Sequence, residues 1–248
     1  MAADNATRDV RVSAHGTPAA PGARVVQVQK SLMSFNDGVA AQNRAAFSGR
    51  LVLNIVSSPG SGKTAVLERT VAGLAQEMKV AVVVGDLETD NDAVRIHAAG
   101  APSVQIVTGA VCHLEAEMVS RAVDQLDLDG LDVLVIENVG NLVCPAAWDL
   151  GEDLRVTMLS VTEGEDKPLK YPRIFKDADA VLINKIDIAE AVGFERDRAL
   201  EAVRQVAPGA AVFELSARTG EGLEPWLAFL RERREAKRAV AAEARAAG

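Results

Sequence analysis

The chain of 248 residues carries a formal net charge of −8, with 48% hydrophobic, 4% aromatic and 25% charged residues. That is enough apolar material for one large domain or two small ones around a buried core, which excludes a disordered protein. The acidic balance argues against general nucleic-acid or anionic-membrane binding, which needs a basic face, and the few aromatics argue against stacking platforms for single strands.

Residues 1–23, rich in Ala, Gly, Pro and small polar side chains, predict a flexible tail. His15 stands alone there, without the clustered His or Cys of a metal-binding tract. No uninterrupted apolar run opens the chain, so no secretory leader is expected, and no later stretch is apolar enough to span a bilayer. Two cysteines, with the nucleotide site read below, point to a reducing cytoplasm. Over residues 24–50 the apolar positions Val28, Leu32, Phe35, Val39 and Phe47 predict an amphipathic helix, interrupted near Asn36-Asp37-Gly38. It either packs on the outside of the main domain or docks another protein.

From Leu51, strand and helix patterns alternate. Strand-like runs are Leu51–Val56, Val80–Gly85, Val104–Val107, Val133–Glu137, Arg155–Val161, Ala180–Asn184 and Ala211–Leu215. Helical patterns between them include Glu115–Leu126, with Cys112-His113 at its opening, and Arg196–Val206. This predicts a three-layer α/β fold over residues 51–235, a mostly parallel sheet with helices on both faces and ligands at the C-terminal ends of the strands. Leu223–Ala247 reads as a last helix whose end, residues 236–248, frays; Arg231, Arg233, Arg234, Lys237 and Arg238 read as its solvated face.

The first strand runs into Ser57-Ser-Pro-Gly60-Ser-Gly62-Lys63-Thr64 and then a helical pattern. Such a loop points backbone N–H groups and a helix dipole at one anion. Gly60, Ser61, Gly62, Lys63, Thr64 and Ala65 are the expected phosphate cradle, with Lys63 on the β/γ-phosphates and the Thr64 hydroxyl on Mg²⁺. Ser57 replaces the first glycine of the general pattern, a departure this spacing leaves unexplained.

Two acids end neighbouring strands and suit an octahedral Mg²⁺ that wants carboxylate oxygens: Asp86 and Glu137. Asp86 opens the polar run Asp86-Leu-Glu-Thr-Asp-Asn-Asp92, which suits a loop ordered by a γ-phosphate, and is either a metal ligand or the group that orients the attacking water. With Lys63, these two acids are the candidate catalytic residues. Asn184-Lys185-Ile186-Asp187 follows a late strand; the Asp187 carboxylate can accept both N1–H and the exocyclic amine of guanine, a pairing adenine cannot offer. Asn184 and Lys185 would shape the base pocket, and Ser216-Ala217 follows the last strand, where GTPases place an amide against the guanine oxygen. These choose GTP over ATP.

Cys112-His113 and Cys144 all follow strands of the same sheet, and Cys144 lies seven residues beyond Glu137. Two thiolates and an imidazole make a soft site for Ni²⁺ or Zn²⁺, and a helix N-terminus would lower a thiol's pKa. The competing reading is a pair of small buried hydrophobes. His97 has no nearby partner in sequence.

The motifs Ser57–Thr64, Gly85–Arg95, Thr108–Leu114, Glu137-Asn-Val-Gly-Asn-Leu-Val-Cys-Pro145 and Ser160-Val-Thr-Glu-Gly-Glu-Asp-Lys-Pro-Leu-Lys-Tyr-Pro172 resemble those of the hydrogenase nickel-incorporation GTPases, the HypB family. The resemblance spans roughly residues 25–235. It implies a slow P-loop GTPase that forms a homodimer with GTP bound, holds Ni²⁺ or Zn²⁺ on Cys112, His113 and Cys144 at the dimer interface, and delivers nickel to a hydrogenase large-subunit precursor. A small zinc-containing nickel chaperone is the implied partner. Some members carry an N-terminal Cys-x-x-Cys-Gly-Cys or His-rich tract; this chain has neither, so no second, N-terminal nickel store is expected. The urease-maturation GTPase, which lacks the two longest motifs, is the more distant resemblance. A metal-storage protein with an inert loop and a small-molecule kinase are the readings from other classes.

Overall fold

Strands covered on both faces have no side for polar residues, so the continuous apolar runs become the interior of a parallel sheet. The computed structural model describes residues 28–86 and 91–246. Its strands are β1 (Leu51–Ser57), β2 (Val80–Asp86), β3 (Ser103–Val107), β4 (Val133–Glu137), β5 (Leu154–Ser160), β6 (Ala180–Asn184) and β7 (Ala211–Glu214). They form one sheet in the order β3-β2-β4-β1-β5-β6-β7, and all pairings are parallel rather than most of them. The glycine loop therefore leaves from the centre of the sheet, and every candidate motif lies at one edge.

The helices are α1 (Val28–Ala46), α2 (Lys63–Leu74), α3 (Asn91–Ala98), α4 (Ala116–Val123), α5 (Lys167–Lys170), α6 (Pro172–Lys176), α7 (Arg196–Val206) and α8 (Leu223–Ala246). Period-two alternation splits β1 between the layers. Leu51, Leu53 and Ile55 pack with Val66, Leu67 and Val71 of α2, Ile96 of α3 and Trp226 of α8. Val52 faces the other way, with Val119 and Val123 of α4, and Val56 joins Phe175 of α6 and Val203 of α7. Trp226 is fully buried, yet its indole N–H donates to Thr70 Oγ1 at 3.0 Å, so enclosure leaves no polar atom unsatisfied. Among the described residues no helix is long and apolar enough to cross a membrane.

Three local expectations differ from the structure. The helix expected over residues 24–50 spans Val28–Ala46, residues 24–27 lying outside the described ones, and it has no break at Asn36-Asp37-Gly38. Asn36 spends its carboxamide on α4 and the loop after β4, not on its own backbone: Ala116 N donates to Oδ1 at 2.9 Å, and Nδ2 donates to Asp149 O at 2.8 Å. Asn43 does likewise toward Ala116 O and Leu150 O, so α1 is clamped to the domain by amides, while Leu32 and Phe35 stay exposed. The helix expected over Glu115–Leu126 is shorter at both ends. The strand expected over Arg155–Val161 is shifted back by one residue. The tail over residues 1–23, with His15, and positions 87–90 of the polar run lie outside the described residues; Asn91 and Asp92 already belong to α3.

The basic face of α8 is not simply solvated. Arg231 pairs with Glu77 and Glu224, Lys237 with Asp153, and Arg234 is buried, its Nη2 2.7 Å from Asp132 Oδ1. Burial pushes Asp132 up, but the Lys79 amide and Arg234 outweigh it and hold the carboxyl below its ordinary range. Replacing Arg234 with Ala leaves that carboxylate with the Lys79 amide, and a loss of about 1.5–3 kcal/mol, as for a hydrogen bond to a charged group, is expected. Urea unfolding measures it; an unchanged midpoint would return Arg234 to a solvated role.

Candidate nucleotide and metal sites

The loop after β1 turns on two glycines in the left-handed region, Gly60 (φ 74°) and Gly62 (φ 93°), the second being the residue before α2. A Cβ on Gly62 would stand 2.6 Å from Asn184 Nδ2, so the close approach of the loop to β6 requires glycine there. Ser57 now has a reason. Its backbone needs no positive φ, and its fully buried hydroxyl accepts from Ser61 Oγ at 2.6 Å and donates to Ser58 O at 2.9 Å, bracing the loop from inside.

This loop, with Gly85, Asp86, Asp92, Arg95, Glu137, Val139 and Gly140, lines a cavity of about 390 Å³. Thr64 Oγ1 donates to Glu137 Oε1 at 2.8 Å, joining the loop hydroxyl to the acid at the end of β4. Glu137 is buried, and among the described residues its Oε2 has no hydrogen-bond partner. An orphaned carboxylate oxygen beside a threonine hydroxyl fits a hard divalent cation, and Asp86 lines the same cavity. Burial pushes Glu137 up to about 7 and holds Lys63 below its ordinary range, although each charge favours the other. Both groups are poised for a charged ligand that is not protein.

A pH dependence follows. The Glu137 carboxyl titrates at about 7 when folded, against 4.5 in its ordinary state, so between those values the folded chain binds more protons. Stability is then lost as pH rises through that window. Between pH 5 and 7.5 the nucleotide-free protein is expected to lose up to about 3 kcal/mol more than the Glu137→Gln variant. Parallel curves in denaturant titrations would remove this assignment.

A second cavity, of about 270 Å³, shares Gly62 and Ala65 with the first and is lined by Asn184, Lys185, Asp187, Ile188, Ser216, Ala217 and Arg218. Asn184 ties three segments together: Nδ2 donates to Ser61 O at 2.9 Å, and Oδ1 accepts from Ala217 N at 3.2 Å. Lys185, in the left-handed region at φ 65°, donates from Nζ to Gly60 O at 2.6 Å. Asp187 accepts from the Ser216 hydroxyl and, at 2.8 Å, from Arg218 Nε, and these two bonds hold its carboxyl below the ordinary range. The carboxylate is thus ionised and aimed by two side chains.

Cys112 and His113 lie in the loop before α4, not at its first turn, and Cys144 opens a short 3-10 turn. The helix N-terminus expected beside Cys112 lies farther on, at Ala116. The Cys112 thiol, 2.8 Å away, and then burial push Cys144 up. That separation is too long for a disulfide bond of about 2.05 Å, and both cysteines are free. One ligand atom from each of Cys112, His113 and Cys144 lies within 4.8 Å of the others. Burial holds His113 below its ordinary range, and among the described residues neither ring nitrogen has a hydrogen-bond partner. Two half-buried thiols and an imidazole whose only charged neighbour among the described residues is Glu115, 3.6 Å from Nε2, fit a soft divalent metal. His97 is exposed and remote from this group.

Three contributors carry no assigned role in the sequence motifs. Trp148 stacks on His113, ring centroids 4.5 Å apart. Lys167 donates to Ser58 Oγ at 3.3 Å and stands 3.5 Å from Glu163. Arg218 pairs with Asp187. Arg218, next to Ser216-Ala217, and Lys167, inside the Ser160–Pro172 motif, have a local signal; Trp148 has none.

The chain is similar to several known proteins. The family profile described as CobW/HypB/UreG, nucleotide-binding domain, matches residues 51–214. The hydrogenase maturation factor HypB of Azotobacter chroococcum is 51% identical over 224 residues, covering 88% of this chain and 73% of the relative. A Helicobacter pylori relative named hydrogenase/urease maturation factor HypB is 42% identical over 215 residues, 84% of this chain and 88% of the relative. The crystal structure of Helicobacter pylori HypB in complex with nickel superposes with a TM-score of 0.77 at 43% identity, covering 81% of this chain and 95% of that one.

Proposed function

This chain belongs to the HypB branch of the CobW/HypB/UreG family, and from that premise we propose that it is a GTP-hydrolysing metallochaperone for nickel, serving the maturation of a hydrogenase. The observation that carries the coupling is one short loop: Glu137 at its start holds Thr64 of the phosphate cradle, and Cys144 at its end meets Cys112. Thr64, Asp86 and Glu137 would hold Mg²⁺, which supplies charge neutralisation at the β- and γ-phosphates. Lys63 neutralises the transferred phosphoryl group, and Asp187, with the Asn184, Lys185, Ser216 and Ala217 pocket, selects guanine. Hydrolysis at this site is slow, the mark of a switch. Nickel is the cargo, taken by Cys112, His113 and Cys144, with Zn²⁺ the competing occupant.

Val143, next to Cys144 in the chain, is a large apolar side chain left exposed, which supports a homodimer joined there when GTP is bound. The partners in this reading are the small zinc-containing nickel chaperone and the hydrogenase large-subunit precursor, in the cytoplasm. A second reading, service to urease as well, is favoured by the double name of the Helicobacter pylori relative. Ni²⁺ affinity is expected to differ about tenfold or more between the GDP state and a non-hydrolysable GTP analogue. Equal affinities would sink the coupling. Displacement of bound nucleotide by ATP as readily as by GTP would sink the guanine assignment.

A further inference from the structure

Between the phosphate cavity and the metal trio runs a buried polar chain that neither site uses for binding. It starts at Asn54, the one polar residue in the apolar part of β1, fully enclosed on the face it shares with Val52 and Val56. Asn54 Oδ1 accepts from Asn138 Nδ2 at 3.2 Å, and Asn54 Nδ2 donates to Glu152 Oε1 at 3.0 Å. Asn138 is 1% exposed, and its backbone N–H is tied to Ile55 O at 2.9 Å, so its carboxamide is a post fixed to β1.

Two loops hang on that post. Asn138 Oδ1 accepts from Leu114 N at 3.2 Å and from Val139 N at 3.0 Å. Leu114 directly follows Cys112-His113, and Val139 begins the segment that ends at Cys144. At its other end the chain returns to the same place. Glu152 Oε1 accepts from Arg155 Nη2 at 2.7 Å, Arg155 Nη2 donates to Trp148 O at 3.0 Å, and the Trp148 ring lies on His113. A buried amide without a partner is costly, so neither loop leaves the post alone without leaving a dipole unsatisfied.

We propose that Asn138, held by Asn54, is the positioning residue that sets the separation of the Cys112-His113 loop from the Cys144 loop, and so transmits the state of the Thr64–Glu137 contact to the metal ligands. It touches neither nucleotide nor metal; it acts through the two amides that share its carbonyl oxygen. A purely structural amide would lower stability without altering how nucleotide changes metal affinity. This inference rests on the coupling reading above, and the two fail differently.

The test measures Ni²⁺ affinity of the full chain with GDP and with the GTP analogue, in the unmodified protein and in Asn138→Leu. Unmodified protein is expected to show the tenfold ratio, and Asn138→Leu a ratio within about twofold of unity. A ratio retained in Asn138→Leu overturns the relay and leaves the coupling standing. No ratio in the unmodified protein overturns the coupling, and the relay with it. Should Asn138→Leu not fold, hydrogen exchange in the unmodified protein decides: the Leu114 and Val139 amides are expected to change protection together when the analogue replaces GDP. A change at one without the other overturns the proposal.

Discussion

Asp187→Asn is expected to weaken GDP and GTP binding by about 10³-fold or more while bringing xanthosine nucleotides into the binding range, because a site built around a buried-edge hydrogen-bond pair rejects its mismatch strongly. In the protein, both carboxylate oxygens are already engaged, by Ser216 and by Arg218, which leaves their remaining lone pairs for the N1–H and exocyclic amine of guanine. An Asn at this position must turn its oxygen toward Arg218, since a guanidinium only donates. Its NH₂ then meets the Ser216 hydroxyl, which can turn and accept, and presents a donor to the base. Guanine answers with another donor; xanthine, with a carbonyl at that position, answers with an acceptor. Competition titrations with a fluorescent nucleotide read both arms. Unaltered GTP affinity would mean that Asp187 only braces the Ser216–Arg218 loop.

Cys144→Ser is expected to lower affinity for Ni²⁺ and Zn²⁺ by at least about 10²-fold while leaving GDP affinity within a few-fold. Structural zinc sites of four ligands bind with about 10–16 kcal/mol, so one thiolate is worth roughly 3 kcal/mol or more. The residue is half-buried at a turn rather than in the core, so the substitution removes a ligand without opening a cavity. Cys112 is expected to behave alike, because the two sulfurs stand 2.8 Å apart and share one site. Its partner and burial keep the Cys144 proton in place, so metal capture must release it. Affinity should accordingly rise with pH, which isothermal titration in buffers of different ionisation enthalpy checks as a proton count. Unchanged metal stoichiometry in either variant would return the cysteines to the status of small hydrophobes.

The two experiments address opposite ends of one device. If base selection and metal capture are each lost without the other, the site is modular, and whatever links the halves must lie between them. The loop from Glu137 to Cys144 and the Asn54–Asn138 pair are the physical connections that the fold provides.

What the sequence determined by itself was whatever is local in the chain. The cradle Ser57–Thr64, the base element Asn184–Asp187 and the strands that present them are contiguous, and their chemistry follows from residue type and spacing. Strand interiors were legible because burial on both faces leaves unbroken apolar runs, and each strand was located to within a residue or so of its true bounds. The metal trio was half legible: residue types and strand-end positions raised it, but only packing brought Cys112, 32 positions from Cys144, to sulfur contact.

Tertiary structure alone decided the rest. Ser57 looked like an error in a glycine pattern until its hydroxyl was seen to brace Ser61. Arg234 looked solvated because its partner, Asp132, lies 102 residues away. Asn54 is the lone polar residue in the apolar part of β1; its meaning resides in Asn138 and Glu152, 84 and 98 residues on. A buried polar group must be satisfied by whichever donor or acceptor the fold places beside it, and that neighbour is chosen by sheet order and strand register, which no spacing along the chain encodes.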